Sequence, residues 1–278
     1  MEILNQIFIH PTLNIAIFFY KIFEAANFPF PLAFAILALT ILIRLIVWPL
    51  TAKQLHQTRK MAELKPRLDD LKKKHGKDKT VHAQKQSELY KAHGVNPATG
   101  CITILIQLPI FFSLYQVLNT IVSAGGNSLD AINQVNKSLY FSFLHLSKPL
   151  DASFLGTQLN TKPADWQSAG ILLLLVPVIT AIFQLVQSKM AIPKSQGLAK
   201  IKKDPKEKES LADSLMQAQG QMTFILPLLI GYFSYTLPIG LSLYWNIFSV
   251  FGITQQYLVM GWGSLVDWLP FLNKKKNG

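Results

Sequence analysis

Cysteine is nearly absent: Cys101 is the only one among 278 residues. No disulfide can form within one chain, and no cysteine near the start can carry a lipid anchor. Charge is also scarce, at 15% of residues against roughly 25% in soluble domains. There is no G-x-x-x-x-G-K-[ST] phosphate loop and no H-E-x-x-H metal motif. The histidines, at positions 10, 56, 75, 82, 93 and 145, are scattered in loops or near the ends of apolar blocks and read as solvated. No carboxylate or histidine lies inside the five longest apolar blocks. That argues against hydrolysis within the membrane and against proton-coupled transport, both of which need such groups in the spans. No enzymatic activity, cofactor or metal is expected.

What the chain does have is apolar sequence, half of all residues, with a positive mean hydropathy. It comes in long blocks separated by basic stretches. About 20 mostly apolar residues are needed to cross a hydrocarbon core of about 30 Å. Five blocks meet that requirement: about 30–50, 99–123, 167–190, 220–237 and 239–260. The stretch 13–26 is shorter and carries Lys21 and Glu24. Charges inside a span are costly, so this stretch reads as an amphipathic helix lying in the interface. It lacks the basic n-region and the cleavage site of a signal peptide. Residues 1–29 are then an extracytoplasmic segment.

Lysine and arginine near spans stay on the cytoplasmic side. Of the 27, 22 fall in 53–98, 189–218 and the tail after Met260. Five spans with the N-terminus outside and the C-terminus cytoplasmic put all 22 on one side. The formal charge of +12 then reflects loops beside anionic lipid headgroups rather than a specific nucleic-acid surface.

Segment 53–98 is too long for a simple loop. Met61, Leu64, Leu68 and Leu71 form the seam of one helix. Pro66 predicts a kink or break in it. His75-Gly76-Lys77-Asp78 reads as a turn, and 80–93 as a return helix with Thr80 as N-cap. The expectation is a cytoplasmic helical hairpin, with a solvated linker as the alternative. Segment 191–218, with Pro193, Gly197 and Pro205, reads as a cytoplasmic loop, and 261–278 as a short basic cytoplasmic tail. The chemistry of 124–166 is uninformative.

Apart from Lys189 at the very end of the third block, Arg44 is the one charged side chain inside any of the five. On insertion scales an arginine at the centre of a span costs about 2.5–3.5 kcal/mol. Thr40 lies one turn earlier on the same helical face. At 1.5 Å per residue Arg44 sits about 9 Å from the cytoplasmic end, and Gln107 about 12 Å. Gln184 and Gln187 leave through the third block, Gln255 and Gln256 through the fifth. Ser234, Ser242 and Asn246 lie nearer the outer side. With no carboxylate to neutralise the arginine, a wet cavity open to the cytoplasm is expected. Snorkelling of Arg44 to nearby headgroups is the alternative.

Thr40-Ile41-Leu42-Ile43-Arg44 followed by Trp48-Pro49-Leu50-Thr51 resembles the first core span of the YidC/Oxa1/Alb3 membrane insertases. Tyr90-Lys91-Ala92-His93-Gly94-Val95-Asn96-Pro97, then Gly100-Cys101 and Gln107-Leu108-Pro109-Ile110-Phe111, is similar to their second. Pro238-Ile239-Gly240-Leu241-Ser242-Leu243-Tyr244-Trp245-Asn246, ending in Gln255-Gln256, resembles their last. The resemblance covers roughly 12–260.

It implies an all-α integral membrane protein: a five-transmembrane-helix bundle around a hydrophilic groove open to the cytosol. A cytoplasmic hairpin and an N-terminal interfacial helix would complete it. The groove arginine is matched by Arg44. The important polar residue one turn earlier is matched by Thr40, and the aromatic of the last span by Trp245. Implied partners are nascent membrane proteins, the Sec translocon and membrane lipids in a bacterial plasma membrane. A tail with three lysines argues against a strong hold on the ribosome. Expected groove residues are Arg44, Thr40, Gln107, Gln184, Gln187, Trp245 and Asn246. Two other function classes stay open: a membrane-complex assembly chaperone without autonomous insertion, and a small channel or transporter.

Overall fold

A computed structural model describes residues 5–76, 78–96, 108–109, 111–113, 115–117, 119–120, 129–192, 211–269 and 271. Most of the expected second span, with Cys101 and Gln107, lies outside them. So do 193–210 and all of the tail after Phe271.

Among the described residues nine helices are labelled in chain order. Helix α1 is His10–Ala25, preceded by a π-helical turn Asn5–Ile9. Next come α2, Pro31–Glu63, α3, Lys65–His75, and α4, Lys79–Ala92. Then follow α5, Leu129–Lys137, and the short α6, Trp166–Ala169. The last three are α7, Leu175–Ala191, α8, Leu211–Thr236, and α9, Ile239–Met260. Among the described residues the only strands are the pair Ser153–Phe154 and Thr157–Gln158, joined through Leu155-Gly156. Both turn residues have positive φ (47° and 83°), the backbone that a tight two-residue hairpin requires.

Among the described residues three helical stretches are long and apolar enough to cross a membrane: Asn5–Ala25, Pro31–Glu63 and Ile171–Ala191. Helix α9 matches the expected fifth block end to end, but Ser242, Asn246, Gln255 and Gln256 dilute its apolar character. Leu172, Ile182, Leu228, Tyr232 and Leu258 are all exposed. Apolar exposure on this scale is rare on soluble monomers and marks surfaces that meet lipid.

Three boundaries differ from expectation. The third block breaks at Gly170, whose φ of 110° is a conformation open to glycine and closed to a continuing helix. Helix α8 starts at Leu211, inside the segment expected to be loop. Helix α2 does not stop at Leu50 but continues through Pro49 to Glu63. Pro49 merely withholds one N–H from the carbonyl of Leu45.

The chain divides into two compact units. The first comprises Met1–Trp48, Ile104–Gln184 and Leu228–Phe251. Its core joins Leu13, Ile17 and Tyr20 of α1 to Leu32, Ile36 and Leu39 of α2 and to Leu241 and Tyr244 of α9. The segment that looked uninformative contributes Ile132, Val135, Leu139, Leu144, Leu146 and Leu159. It also caps α9: the N–H groups of Ile239 and Gly240 donate to the carbonyls of Thr161 and Leu159, at 2.9 Å each. These would otherwise be orphaned at the helix start. Helices α7, α8 and α9 are tied by hydroxyls. Ser234 Oγ donates to Thr180 Oγ1 at 3.1 Å and lies 2.8 Å from Ser242 Oγ. At Gly231 an added Cβ would come within 3.1 Å of Ala181 Cβ, the close approach that small residues permit between membrane helices.

The second unit comprises Pro49–Thr103, Leu185–Pro227 and Gly252–Gly278. Here α3 and α4 pack together through Leu64, Leu68, Tyr90 and Val95, flanked by Met61 and Leu89. The break falls at Leu64, and Pro66 sits in the first turn of α3, where its missing N–H costs nothing. The N-cap of α4 is Asp78, not Thr80: its carboxylate accepts from the N–H groups of Thr80 and Val81 at 3.0 and 3.1 Å. His82, expected to be solvated, is buried on α4 together with Gln86.

Candidate functional site

The site in the first unit is a seam between two helices. Thr40, Arg44 and Trp48 recur at four-residue spacing, so they line one face of α2. Tyr244, Phe248 and Phe251 recur at four and three on α9. The seam is closed by Arg44 against Phe248 and by Trp48 against Phe251. The two rings of the latter pair meet edge to face at 5.5 Å.

Arg44 is only 6% exposed. Its guanidinium carbon lies 3.3 Å from the centroid of the Phe248 ring and 5.8 Å from that of Phe251. One terminal nitrogen donates to the Phe248 carbonyl. Its Nε is buried and has no hydrogen-bond partner among the described residues. Among the described residues Arg44 forms no ion pair. An aromatic face is worth about 2 kcal/mol or more to a desolvated cation. A hydrogen bond from a charged donor adds about 1.5–3 kcal/mol. Together these match the roughly 2.5–3.5 kcal/mol that placing arginine within a span costs. An aromatic ring and a carbonyl of α9 thus take part in holding Arg44, beside any water of the expected cavity.

The other expected residues are distributed unequally. Thr40 is buried, and its hydroxyl donates back to the Ile36 carbonyl at 2.6 Å, within its own helix. Gln184 accepts from Ser249 Oγ at 3.3 Å, next in chain to Phe248. Trp245 is buried and stacks on Phe111 at 5.4 Å with 19° between the planes. Asn246 is two residues from Phe248, about 160° around the helix at 3.6 residues per turn, so it does not face Arg44 from α9. Its Oδ1 is buried and has no partner among the described residues. Gln187 belongs to the second unit, where its Oε1 and those of Gln57 and Gln256 are also buried, with no partner among the described residues. There Gln255 Nε2 donates to Thr51 Oγ1 at 2.6 Å. Gln107 lies outside the described residues.

Sequence reasoning missed Phe248, the residue in closest contact with Arg44. Its signal was available as an aromatic stripe, Tyr244-Phe248-Phe251, on one helical face. Inside an apolar span such a stripe passes for ordinary core. Among the described residues no three His, Cys, Asp or Glu side chains converge to hold a metal.

Residues 23–264 match the family described as 60Kd inner membrane protein. The chain is 30% identical over 238 residues to the inner membrane ALBINO3-like protein 2, chloroplastic, of Chlamydomonas reinhardtii, covering 84% of this chain and 50% of that protein. It is 30% identical over 230 residues to the membrane protein insertase YidC of Fusobacterium nucleatum, covering 83% and 86% respectively. With YidC 2 of Bacillus anthracis it shares 27% identity over 261 residues, covering 92% of this chain and 81% of that one. The fold and the seam thus belong to a helical membrane protein. The chain is a member of the YidC/Oxa1/Alb3 family of membrane insertases.

Proposed function

We propose that the chain inserts newly made membrane proteins into the lipid bilayer, without covalent chemistry, and that Arg44 receives a polar or acidic segment in transit. The observation that carries this reading is the state of Arg44. It is buried, it has no counter-ion among the described residues, and it is held by a ring and a carbonyl rather than by a carboxylate. An anionic group competes well for such a cation, because it offers a full charge where the ring offers a quadrupole. A fixed salt bridge would leave nothing to exchange. For the exchange Phe248 has to yield one face of the guanidinium. The substrate's own apolar span then drives the outcome, at about 0.8 kcal/mol per CH₂ moved out of water.

In this reading five spans surround a groove open to the cytosol, with the N-terminus outside and the C-terminus in the cytoplasm of a bacterial cell. The α3–α4 pair is the cytoplasmic hairpin that meets the nascent chain, and α1 lies in or near the interface. Thr40, Gln107, Gln184, Gln187, Trp245 and Asn246 contribute polar or aromatic lining. The Sec translocon is a partner for larger substrates. The family membership and the names of the bacterial relatives support insertion as the activity.

The test is reconstitution of purified protein in liposomes, supplied with a single-span substrate bearing an acidic tail. Protease protection of the tail above that of empty liposomes is expected. It falls sharply for Arg44→Ala with the acidic tail and little with a neutral one. Equal loss for both tails would remove the electrostatic role. No protection with the unaltered protein would favour a chaperone that assembles spans already inserted.

A further inference from the structure

In the first unit the segment from Ser138 to Leu146 is held from three sides while turning its aromatic residues outward. Asn14 of α1 grips its start: Nδ2 donates to the Ser138 carbonyl at 2.9 Å, and Oδ1 accepts from the Tyr140 N–H at 2.7 Å. Lys21 of α1 grips its middle, with Nζ donating to the carbonyls of Phe143 and His145 at 2.7 Å each. Asn136 grips its end: Oδ1 accepts from the Leu146 N–H at 2.8 Å and Nδ2 donates to the Leu146 carbonyl at 3.0 Å. Leu139, Leu144 and Leu146 point into the core. Tyr140, Phe141 and Phe143 point out, at 54%, 56% and 62% exposure, with the Phe141 and Phe143 rings stacked at 5.5 Å. Three buried leucines would suffice to hold a loop, so fixing three exposed aromatic rings calls for another explanation. Rings presented on a braced backbone give up little conformational entropy when they are covered.

We infer that Tyr140, Phe141 and Phe143 form a rigid wedge that enters the interfacial layer of the lipid bilayer. Two observations favour lipid over protein as the occupant. First, Lys21, which braces the loop, lies on α1 between Phe18 and Ile22, both exposed, so the rings continue an apolar surface of a helix apolar enough to cross a membrane. Second, the stretch from 137 to 148 that holds the rings carries Lys137, His145 and Lys148, the last paired with Glu24 at 3.1 Å, and the nearest carboxylates along the chain, Asp130 and Asp151, lie beyond it. Aromatic rings flanked by basic residues suit the headgroup level, where ring bodies are apolar and the surroundings are anionic. The wedge would fix how deep α1 and the first unit sit, and it does not depend on insertion activity.

Spin labels measure this directly. In a Cys101→Ser background, Phe141→Cys, Phe143→Cys and Asn160→Cys are each labelled in the full chain, purified and reconstituted in vesicles of phosphatidylethanolamine and phosphatidylglycerol. Asn160 is an exposed polar position in the same extramembrane segment. Collision with oxygen is compared with collision with a water-soluble nickel chelate. At 141 and 143 oxygen is expected to dominate, and at 160 the chelate. Labels at 141 and 143 that read like 160 would overturn the inference, since these vesicles offer lipid and no other protein. All three substitutions lie on the surface, so a folded sample is expected for each. Agreement between 141 and 143 guards against a local artefact at either.

Discussion

Arg44 and the lysines of α3 and α4 carry the same charge in opposite surroundings. Arg44 is enclosed by the rings of α9 and one carbonyl, with no counter-ion among the described residues. In the α3–α4 pair two lysines are exposed and meet carboxylates along the helix surface, Lys85 with Glu88 at 2.8 Å and Lys73 with Asp70 at 3.9 Å. The first arrangement is costly and can exchange its partner. The second costs little and contributes solubility more than stability. In the proposed reading a positive charge serves exchange where apolar neighbours make it expensive.

The most forceful way to break that contrast is to remove the ring over Arg44. Phe248→Ala should destabilise the first unit by about 3 kcal/mol, the low end for a buried phenylalanine because this one is only partly buried. It would also leave the guanidinium face without cover. A lowered thermal midpoint in detergent is expected, together with loss of the preference for acidic over neutral tails. Phe248→Tyr keeps the ring and should keep both. An unchanged midpoint for Phe248→Ala would mean that the ring does not stabilise the arginine.

A smaller effect is expected from the second unit. Leu68→Ala removes one of four buried residues holding α3 to α4. The loss should be about 2 kcal/mol, at the low end for leucine because so small a cluster can collapse around the gap. Amide exchange should accelerate in α3 and α4 and stay unchanged around Leu39 and Tyr244. Acceleration in both places would show that the two units do not open independently.

The contrast was unevenly legible in the residues. Arg44 stood out because one charge in an apolar block is conspicuous, and Pro66 marked the break before α3 because proline acts locally. Phe248 did not, since its role depends on which face of α9 meets α2, a tertiary fact. Asp78 and Thr80 are both good caps. Only the backbone direction at residue 78, extended with φ −107° and ψ 101°, decides between them. The core contribution of 139–159 was hidden because its leucines are spaced irregularly along a loop, with no helical or strand period to reveal them. His82 was misjudged for a related reason: its burial follows from the face of α4 that meets its neighbours, not from its own chemistry.

Asp78→Ala tests the cap itself. Removing an N-cap carboxylate typically costs about 1 kcal/mol. Faster exchange confined to the first turn of α4 is the expected result, with Thr80→Ala having a lesser effect. If Thr80→Ala were the more damaging, the hydroxyl would be the true cap.

The gentlest probe is pH. The Lys85 ammonium and then the Gln84 amide donate to the Glu88 carboxylate, and they hold its pKa below the ordinary carboxylate range. A carboxylate depressed in the folded state stabilises the fold at any pH above its unfolded value. That contribution declines as pH falls through the ordinary carboxylate range and is gone once pH has passed below the depressed folded value. Glu88 is fully exposed, so solvent and salt screen most of the effect. Amide exchange along α4, corrected for its intrinsic pH dependence, should therefore show a slight loss of protection on acidification. Glu88→Gln should abolish that dependence, and high salt should flatten it. Arg44 offers the sharper half of the contrast: with no carboxylate against it among the described residues, its surroundings should show no such acid transition. A matching transition near Phe248 would reveal a carboxylate partner for Arg44, and the ring would then no longer be what holds the charge.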